Sequence, residues 1–246
     1  MALKQELERQ GDWLFRYRSI LPLGILVIAL GVFIQSNLQK SSFEVCTTYF
    51  EIGCLIVSLW GLTFRIYTVG YTPKNTSGRN TSEGQVAEIL NTLGIYSMVR
   101  HPLYLGNFFM WLGPALLAAN SWFIVTFILF YWIYYERIMI AEEQFLEKKF
   151  GKCYTNWAEK VPAFIPKPGL YQKAELSFSI KKVLKKEKNG LFAVFIIFAF
   201  FDVLGEWLKN HTHFNYLILI GCLISMLMYL VLKIMKSRTV LLNDNR

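Results

Sequence analysis

Six apolar stretches, each about as long as a bilayer is thick, constrain this chain more than any other feature of its sequence. A transmembrane helix needs roughly 20 mostly apolar residues, because the hydrocarbon core is about 30 Å thick. The composition agrees, since 54% of the 246 residues are hydrophobic and only 17% are charged. We predict an all-α, polytopic membrane protein with about six spans: Ser19–Gln35, Val45–Val69, Leu103–Ala119, Trp122–Ile140, Leu191–Leu208 and Tyr216–Met235.

The net charge of +9 indicates either nucleic-acid binding or the Lys/Arg excess of cytoplasmic loops. Along the chain, the segments between the spans and at their ends carry alternately many and few basic residues, and the stretch from Glu136 to Gly190 alone has twelve. This alternation predicts a multi-pass protein with both termini in the cytoplasm. The excess is therefore explained as loop charge, and we expect no nucleic-acid partner.

The four cysteines do not form a metal-binding or disulfide pattern. They are far apart, there is no CxxC pair, and three of them lie in or beside apolar runs. We predict buried inert thiols, no disulfide and no zinc or other metal site at these positions, which are Cys46, Cys54, Cys153 and Cys222.

The most unusual stretch begins just before the third span, at Gly94, and contains Arg100-His101-Pro102. Proline disfavours a helical conformation at the preceding residue and suits the first turn of a helix. Arg100 and His101 are therefore expected at the mouth of span three, where free N–H groups of the helix end can bind an anion. The alternative is a snorkelling arginine beside a hydrogen-bonded interfacial histidine.

The third connection, Asn120-Ser121, is so short that spans three and four must form an antiparallel helical hairpin. The end of span four therefore returns to the membrane face that carries His101. The pair Glu142-Glu143 follows there, so acidic and basic groups converge beside aromatic side chains, as in a site for a polar small molecule. A solvated helix face is the alternative for the two glutamates.

A third motif region, Phe150–Pro166, follows the hairpin. Gly151 indicates a helix end, and the prolines indicate an extended segment. Tyr154 and Trp157 are three residues apart, so they are placed either to wall a ligand or to anchor the chain at the membrane interface.

Five features follow one another along the chain: Arg-His-Pro-x-Tyr-x-Gly, a helical hairpin, Glu-Glu, Phe-Gly-x-x-Tyr and Val-Pro-x-x-x-Pro. In this order they resemble the isoprenylcysteine carboxyl methyltransferase family, whose core is shared by membrane phospholipid methyltransferases. The resemblance covers about a third of the chain, from Gly84 to Pro168. It implies an integral membrane enzyme that binds S-adenosyl-L-methionine (SAM) between the hairpin and a cytoplasmic helix-loop segment. No strand–GxGxxG–helix unit of a soluble nucleotide-binding domain is found.

The resemblance also implies roles for individual residues. Glu142 or Glu143 would hold the polar end of SAM, Tyr154 would help to close the pocket, and the mouth would be formed by His101, Pro102, Tyr104 and Gly106. Trp157 stands where the family often has a second tyrosine, which keeps an aromatic wall without the hydroxyl, and we assign it to the substrate. Ala163 stands where a basic residue is frequent.

Methyl transfer from a sulfonium needs an aligned, unprotonated nucleophile and exclusion of water. No base remains beyond His101 and the glutamates, which favours an acceptor oxygen that is already ionised. We assign Arg100 and Arg137 as catalytic and Arg79 as substrate-binding, since arginine suits anionic headgroups. The acceptor is a prenylcysteine-type carboxylate by resemblance, or else a lipid phosphate or amine. A transporter or channel is the alternative of another class.

We divide the chain into an N-terminal part with two spans and a basic loop (1–83), a methyltransferase core (84–170) and a C-terminal part (171–246). The last part begins with Leu176–Lys188, whose five lysines predict a basic helix lying on an anionic leaflet. For Glu51, in the second span, the sequence by itself does not indicate which group it contacts. Asp202 and Glu206, near Lys209, His211 and His213, are expected to form an interfacial cluster outside the active site.

Overall fold

The computed structural model describes residues 3–18, 20–38, 48–73, 76, 79–81, 84–210 and 212–238. Within these ranges the chain is almost entirely helical, with a short antiparallel hairpin of β1 (Arg79–Thr81) and β2 (Gly84–Val86) as the exception to the predicted all-α class. The helices are α1 (Leu3–Tyr17), α2 (Leu21–Leu38), α3 (Thr48–Tyr71), α4 (Pro102–Leu117), α5 (Ser121–Phe150), α6 (Lys152–Ala158), α7 (Ile180–Leu208) and α8 (Tyr216–Arg238).

Among the described residues, four helices are long and apolar enough to cross a membrane, namely α3, α5, α7 and α8. A fifth span arises if α1 and α2, which are bent by 74° at their junction, are counted together. The described part of the chain thus has four or five candidate spans, compared with the predicted number of about six. The third predicted span falls short because α4 has 16 residues, which corresponds to a length of only about 24 Å. The chain is a multi-pass membrane protein.

The predicted hairpin of α4 and α5 is confirmed. Pro102 occupies the first turn of α4, and the helix ends before Ala119, which has a positive φ of 46°. The Asn120 side chain then caps α5 by accepting a hydrogen bond from the Phe123 amide at 2.9 Å. The chain therefore reverses within three residues, and the start of α4 lies beside the second half of α5.

Helix α5 continues ten residues beyond the predicted end of its span, through Glu142 and Glu143 to Phe150. It ends at Gly151, whose φ of 54° favours glycine, and α6 begins at the next residue. The glutamate pair is thus carried on a regular helix and has a fixed rotation about its axis.

Two predictions outside the core need correction. The lysine-rich stretch is not a separate helix, because α7 runs without a break from Ile180 through the lysines into its apolar half. The segment before the first predicted span, for which no helix was predicted, forms α1, which packs along α5. Its Phe15 is buried and joins the aromatic cluster of the hairpin.

The helices enclose two large apolar clusters, one between α2, α3, α7 and α8 and one within the hairpin of α4 and α5. Helix α3 packs along α4 and α7, and α7 also packs along α8 and α2. Cys54, Cys153 and Cys222 are free thiols, and Cys153 is exposed rather than buried; Cys46 lies outside the described residues. The division of the chain into three parts stays a prediction.

Candidate active site

The Arg-His-Pro motif is held in place by an extended segment that contains the later prolines. The Arg100 amide donates to the Pro162 carbonyl at 2.9 Å, and the His101 amide donates to the Ala163 carbonyl at 3.1 Å. The Lys167 amide donates to Met98 O at 3.0 Å, so the two segments are fastened on both sides of Arg100. Ala163 contributes only its backbone to this contact, so the contact does not depend on the type of side chain at this position.

His101 lies between the two glutamates of α5. Its Nε2 is 2.9 Å from Glu143 Oε1, and its Nδ1 is 3.5 Å from Glu142 Oε2. The side chains of His101 and Glu142 are both almost fully buried. The predicted convergence of the motif with the glutamate pair is therefore present in the structure, and both glutamates are engaged.

The charge of this cluster follows from these contacts. Burial by itself would lower the pKa of His101, but the hydrogen bonds and charges of Glu142 and Glu143 outweigh it and raise the pKa from 6.5 to about 9. The imidazole is thus positively charged at neutral pH. Arg100 Nη1 adds a second positive charge 3.2 Å from Glu143 Oε2, which balances the two carboxylates.

Two polar atoms at this site are buried without a hydrogen-bond partner, Arg100 Nε and the Tyr154 hydroxyl. Such atoms are costly to leave unpaired. Burial, followed by the negative charge of Glu143, raises the pKa of Tyr154 far above its usual range, so the hydroxyl keeps its proton and remains a donor. Two donors and a carboxylate are therefore available to a polar ligand with a cationic centre.

Trp157 lies where an aromatic wall was predicted. Its ring meets that of Tyr154 edge-on with 5.7 Å between centroids, and its indole N–H donates to the Tyr96 carbonyl at 3.2 Å. The indole N–H is therefore bonded within the protein and holds Trp157 against the segment that precedes the Arg-His-Pro motif. Its assignment to the substrate stays a prediction.

A chain of polar contacts continues from the glutamates into the bundle. The Tyr104 hydroxyl donates to Glu142 Oε2 at 2.8 Å, and the Tyr131 hydroxyl donates to the Tyr104 carbonyl at 2.7 Å. The rings of Tyr131 and Tyr135 are stacked with centroids 4.3 Å apart. These three tyrosines connect the site to the middle of the hairpin.

The same chain ends in an ion pair between α3 and α7. Asn107 Nδ2 donates to the Tyr135 hydroxyl at 3.4 Å, and its Oδ1 accepts from Arg65 Nη1 at 2.6 Å. Arg65 also donates twice to Glu187, with both distances 2.8 Å. Every nitrogen of the guanidinium is therefore bonded, which suits a fixed structural charge more than a group that releases its partners to bind substrate.

The other predicted site residues lie elsewhere around this cluster. Pro102 is fully buried at the start of α4. Gly106 faces α3, where an added Cβ would lie 2.6 Å from Arg65 Cγ, so close packing of two helices accounts for this glycine. Its role toward a cofactor stays a prediction.

Two of the predicted arginines are not part of the His101 cluster in the described contacts. Arg137 faces α1, because its Nε donates to Gln10 Oε1 at 3.2 Å and its Nη1 donates to the Ile133 carbonyl. Arg79 lies in β1, and its side chain lies outside what the structure describes. A catalytic role for Arg137 and a substrate-binding role for Arg79 stay predictions.

The sequence contained a signal for some of the residues that were missed. Arg65 and Glu51 are the two charges within the second apolar span, and such charges are costly and often functional. Asn107 directly follows the motif glycine. Glu187 lies among lysines, so only the continuity of α7 shows that it is buried.

These features define a class of protein, a multi-pass helical membrane protein with a buried ionic site at the mouth of a helical hairpin. Residues 47–153 match the family model described as phospholipid methyltransferase. The matched segment includes the Arg-His-Pro and Glu-Glu motifs and agrees with the resemblance that these motifs indicated.

Several curated proteins are similar to this chain. Over 153 residues the chain is 28% identical to the protein-S-isoprenylcysteine O-methyltransferase of Saccharomyces cerevisiae, covering 61% of this chain and 63% of that protein. Over 79 residues it is 40% identical to the Schizosaccharomyces pombe protein of the same name, covering 32% and 33%. It is also 29% identical over 127 residues to the nickel-cobalt-cadmium resistance protein NccN of Alcaligenes xylosoxydans xylosoxydans, covering 51% and 55%.

The chain spans less than two thirds of the length of each of these relatives. No solved structure matches it.

Proposed function

We propose that this protein is a SAM-dependent methyltransferase that methylates a lipophilic acceptor at the membrane, with a prenylcysteine-type carboxylate as the acceptor. The observation that carries the proposal is the His101 imidazole held between Glu142 and Glu143, beside the unpaired donors of Arg100 and Tyr154. The names of the yeast relatives support the acceptor.

The site residues suit the cofactor. SAM, when bound, supplies a methyl group on a positively charged sulfur. Glu143, which is the more exposed of the two glutamates, would attract that cationic ligand, while Arg100 Nε and the Tyr154 hydroxyl would donate to its polar atoms. Glu142 is taken up by His101 and Tyr104, so we assign it to positioning rather than direct contact.

The protonation state of His101 favours an anionic acceptor. An imidazole with a pKa of about 9 already carries its proton at neutral pH and is a poor base there. An amine acceptor would need a base, whereas a carboxylate is ionised and needs none. His101 therefore serves as a fixed positive charge that holds both glutamates, and a carboxylate oxygen is the nucleophile most compatible with this site.

The acceptor would enter from the bilayer, and the cofactor would enter from the aqueous side. We place both termini and the site on the cytoplasmic side, as the distribution of basic residues predicts. Arg79 and the lysines at the start of α7 would attract anionic lipids at this face. The phospholipid description of the matching family model supports a lipid headgroup as the second candidate acceptor.

The test is incubation of membranes containing the protein with methyl-labelled SAM and a farnesylated cysteine peptide, followed by separation of lipids and peptides. Base-labile label in the peptide is the expected result, since a methyl ester is cleaved by base. The matched control is His101→Ala, which removes the central charge of the cluster and is expected to abolish the label. Label in the lipid fraction alone would show that the acceptor is a lipid headgroup and not a prenylcysteine carboxylate. No label in either fraction, together with no binding of SAM, would overturn the enzyme proposal.

A further inference from the structure

Helix α1 is seated closely against the half of α5 that carries the glutamate pair. An added Cβ at Gly11 would lie 2.1 Å from the Arg137 carbonyl oxygen and 2.7 Å from Ala141 Cβ. No side chain larger than hydrogen fits there without separating the two helices. Two polar contacts stabilise the same packing of α1 on α5. Glu8 forms an ion pair with Lys148, and Gln10 accepts a hydrogen bond from Arg137.

The two helices do not meet along their whole length, and a cleft of about 380 Å³ lies between them. Leu3 and Leu7 of α1 line one side, and Glu143, Glu147 and Tyr154 line the other. This volume lies within the range of small-molecule sites, roughly 300–1,000 Å³. The cleft thus has an apolar wall from α1 opposite a wall from α5 that carries two glutamates together with Ile140 and Gln144.

The cleft is continuous with the ionic site through two shared side chains. Glu143 contacts both Arg100 and His101, and it also lines the cleft. The Tyr154 side chain is 4% exposed and lines the same space, and its hydroxyl is buried without a partner. An unpaired buried donor beside a carboxylate indicates that the cleft receives a polar ligand.

We infer that α1 forms the outer wall of the cofactor site, with Leu7 as a binding residue and Gly11 as the residue that sets the width of the cleft. This inference rests on the proposed function. The helix lies outside the segment 47–153 that matches the family model. Cofactor affinity in this protein therefore depends on residues that the family segment does not contain.

The experiment measures binding rather than turnover. The full chain is purified in detergent, and its affinity for S-adenosylhomocysteine and for SAM is determined by isothermal titration calorimetry. Gly11→Leu is expected to push α1 away from Arg137 and weaken binding at least tenfold. Leu7→Trp, at a half-buried position that tolerates a larger side chain, is expected to fill the cleft and weaken binding to a similar extent.

The matched control is Arg9→Leu, which adds a leucine to the exposed side of the same helix. It is expected to bind within twofold of the unaltered protein. Affinities of Leu7→Trp and Gly11→Leu equal to that of the unaltered protein would overturn the inference, as would an equal loss in Arg9→Leu. Absence of binding by the unaltered protein would instead overturn the proposed function.

Discussion

Helices α3 and α7 are joined by buried polar groups at both ends, and the two ends differ in kind. At the site end, Arg65 and Glu187 form an ion pair of opposite charges that extends through Asn107 to the tyrosines. At the far end, two acids, Glu51 and Asp202, share the amide groups of Asn215, with distances of 3.0 to 3.2 Å. Glu206 accepts from the His213 amide beside them.

The two ends differ in whether their polar contacts connect them to the ionic site around His101. The far cluster is bonded within its own neighbourhood by a neutral side chain and by backbone amides, so it ties helices together without reaching the site. The near cluster leads through contacts on α4 and α5 to Glu142. The same pair of helices thus has one end devoted to holding the bundle and one end linked to the ionic site.

The largest effect is expected from Glu187→Ala. Removing one partner of a buried ion pair leaves Arg65 uncompensated, which typically costs about 3–5 kcal/mol. We expect a large fall in the melting temperature in detergent and loss of methyl transfer. The double variant Arg65→Glu with Glu187→Arg keeps the ion pair but loses the hydrogen bond from Arg65 to Asn107. It should therefore recover stability more than activity. Full activity in Glu187→Ala would contradict the link to the site.

The pH dependence of the site end should be visible without cofactor. The pKa of His101 is raised from 6.5 in the unfolded chain to about 9 in the folded protein. Its contribution to stability is therefore complete below pH 6.5, declines as the pH rises, and is lost above about pH 9. Melting temperatures measured from pH 6 to pH 10 should therefore decrease as the pH rises through this range.

His101→Gln, which keeps a polar side chain without the titration, should flatten the same melting profile. A profile of the variant that is as steep as that of the unaltered protein would assign the dependence to another group.

A smaller effect is expected from Tyr104→Phe. The change removes the hydroxyl that donates to Glu142 and leaves the carboxylate short of one hydrogen bond, at a cost of about 1–3 kcal/mol. Cofactor affinity measured by calorimetry should fall about tenfold. The control is Tyr229→Phe on α8, whose ring stacks on Phe192 away from the site and whose change should leave affinity alone.

The smallest effect on the site is expected from Asn215→Ala. It removes the amide that donates to Glu51 at the far end, so the melting temperature should fall by an amount that corresponds to about 1–3 kcal/mol. Methyl transfer, measured well below that temperature, should stay within twofold. A tenfold loss of transfer would show that the far end communicates with the site and would remove the distinction between the two ends.

The sequence predicted most of the elements that build the site. Apolar length predicted α3, α5, α7 and α8, and the two-residue connection at Asn120 required the hairpin that brings His101 to the glutamates. These inferences succeeded because they depend on length and chain reversal, which local sequence determines.

Other features depend on side-chain rotation and on packing between distant segments. The contact of Gly11 with Arg137 joins residues more than 120 positions apart, and no periodicity in either segment reports it. Lys181 to Lys188 suggested an interfacial helix, although Glu187 turns inward to Arg65. Composition shows that a charge is present, but only the fold shows which partner neutralises it.

The length of α5 has a consequence for the kinds of membrane in which the protein can act. Its 30 residues extend about 45 Å, whereas the hydrocarbon core is about 30 Å thick. Glu142 lies about 32 Å from the helix start, so if α5 begins at one face of the membrane, the glutamate pair would lie at the headgroups of the other face. Under the proposed function, a thicker bilayer would place the pair in the hydrocarbon and a thinner one would place it in water, so membrane thickness would determine where a lipid-borne acceptor can meet the site.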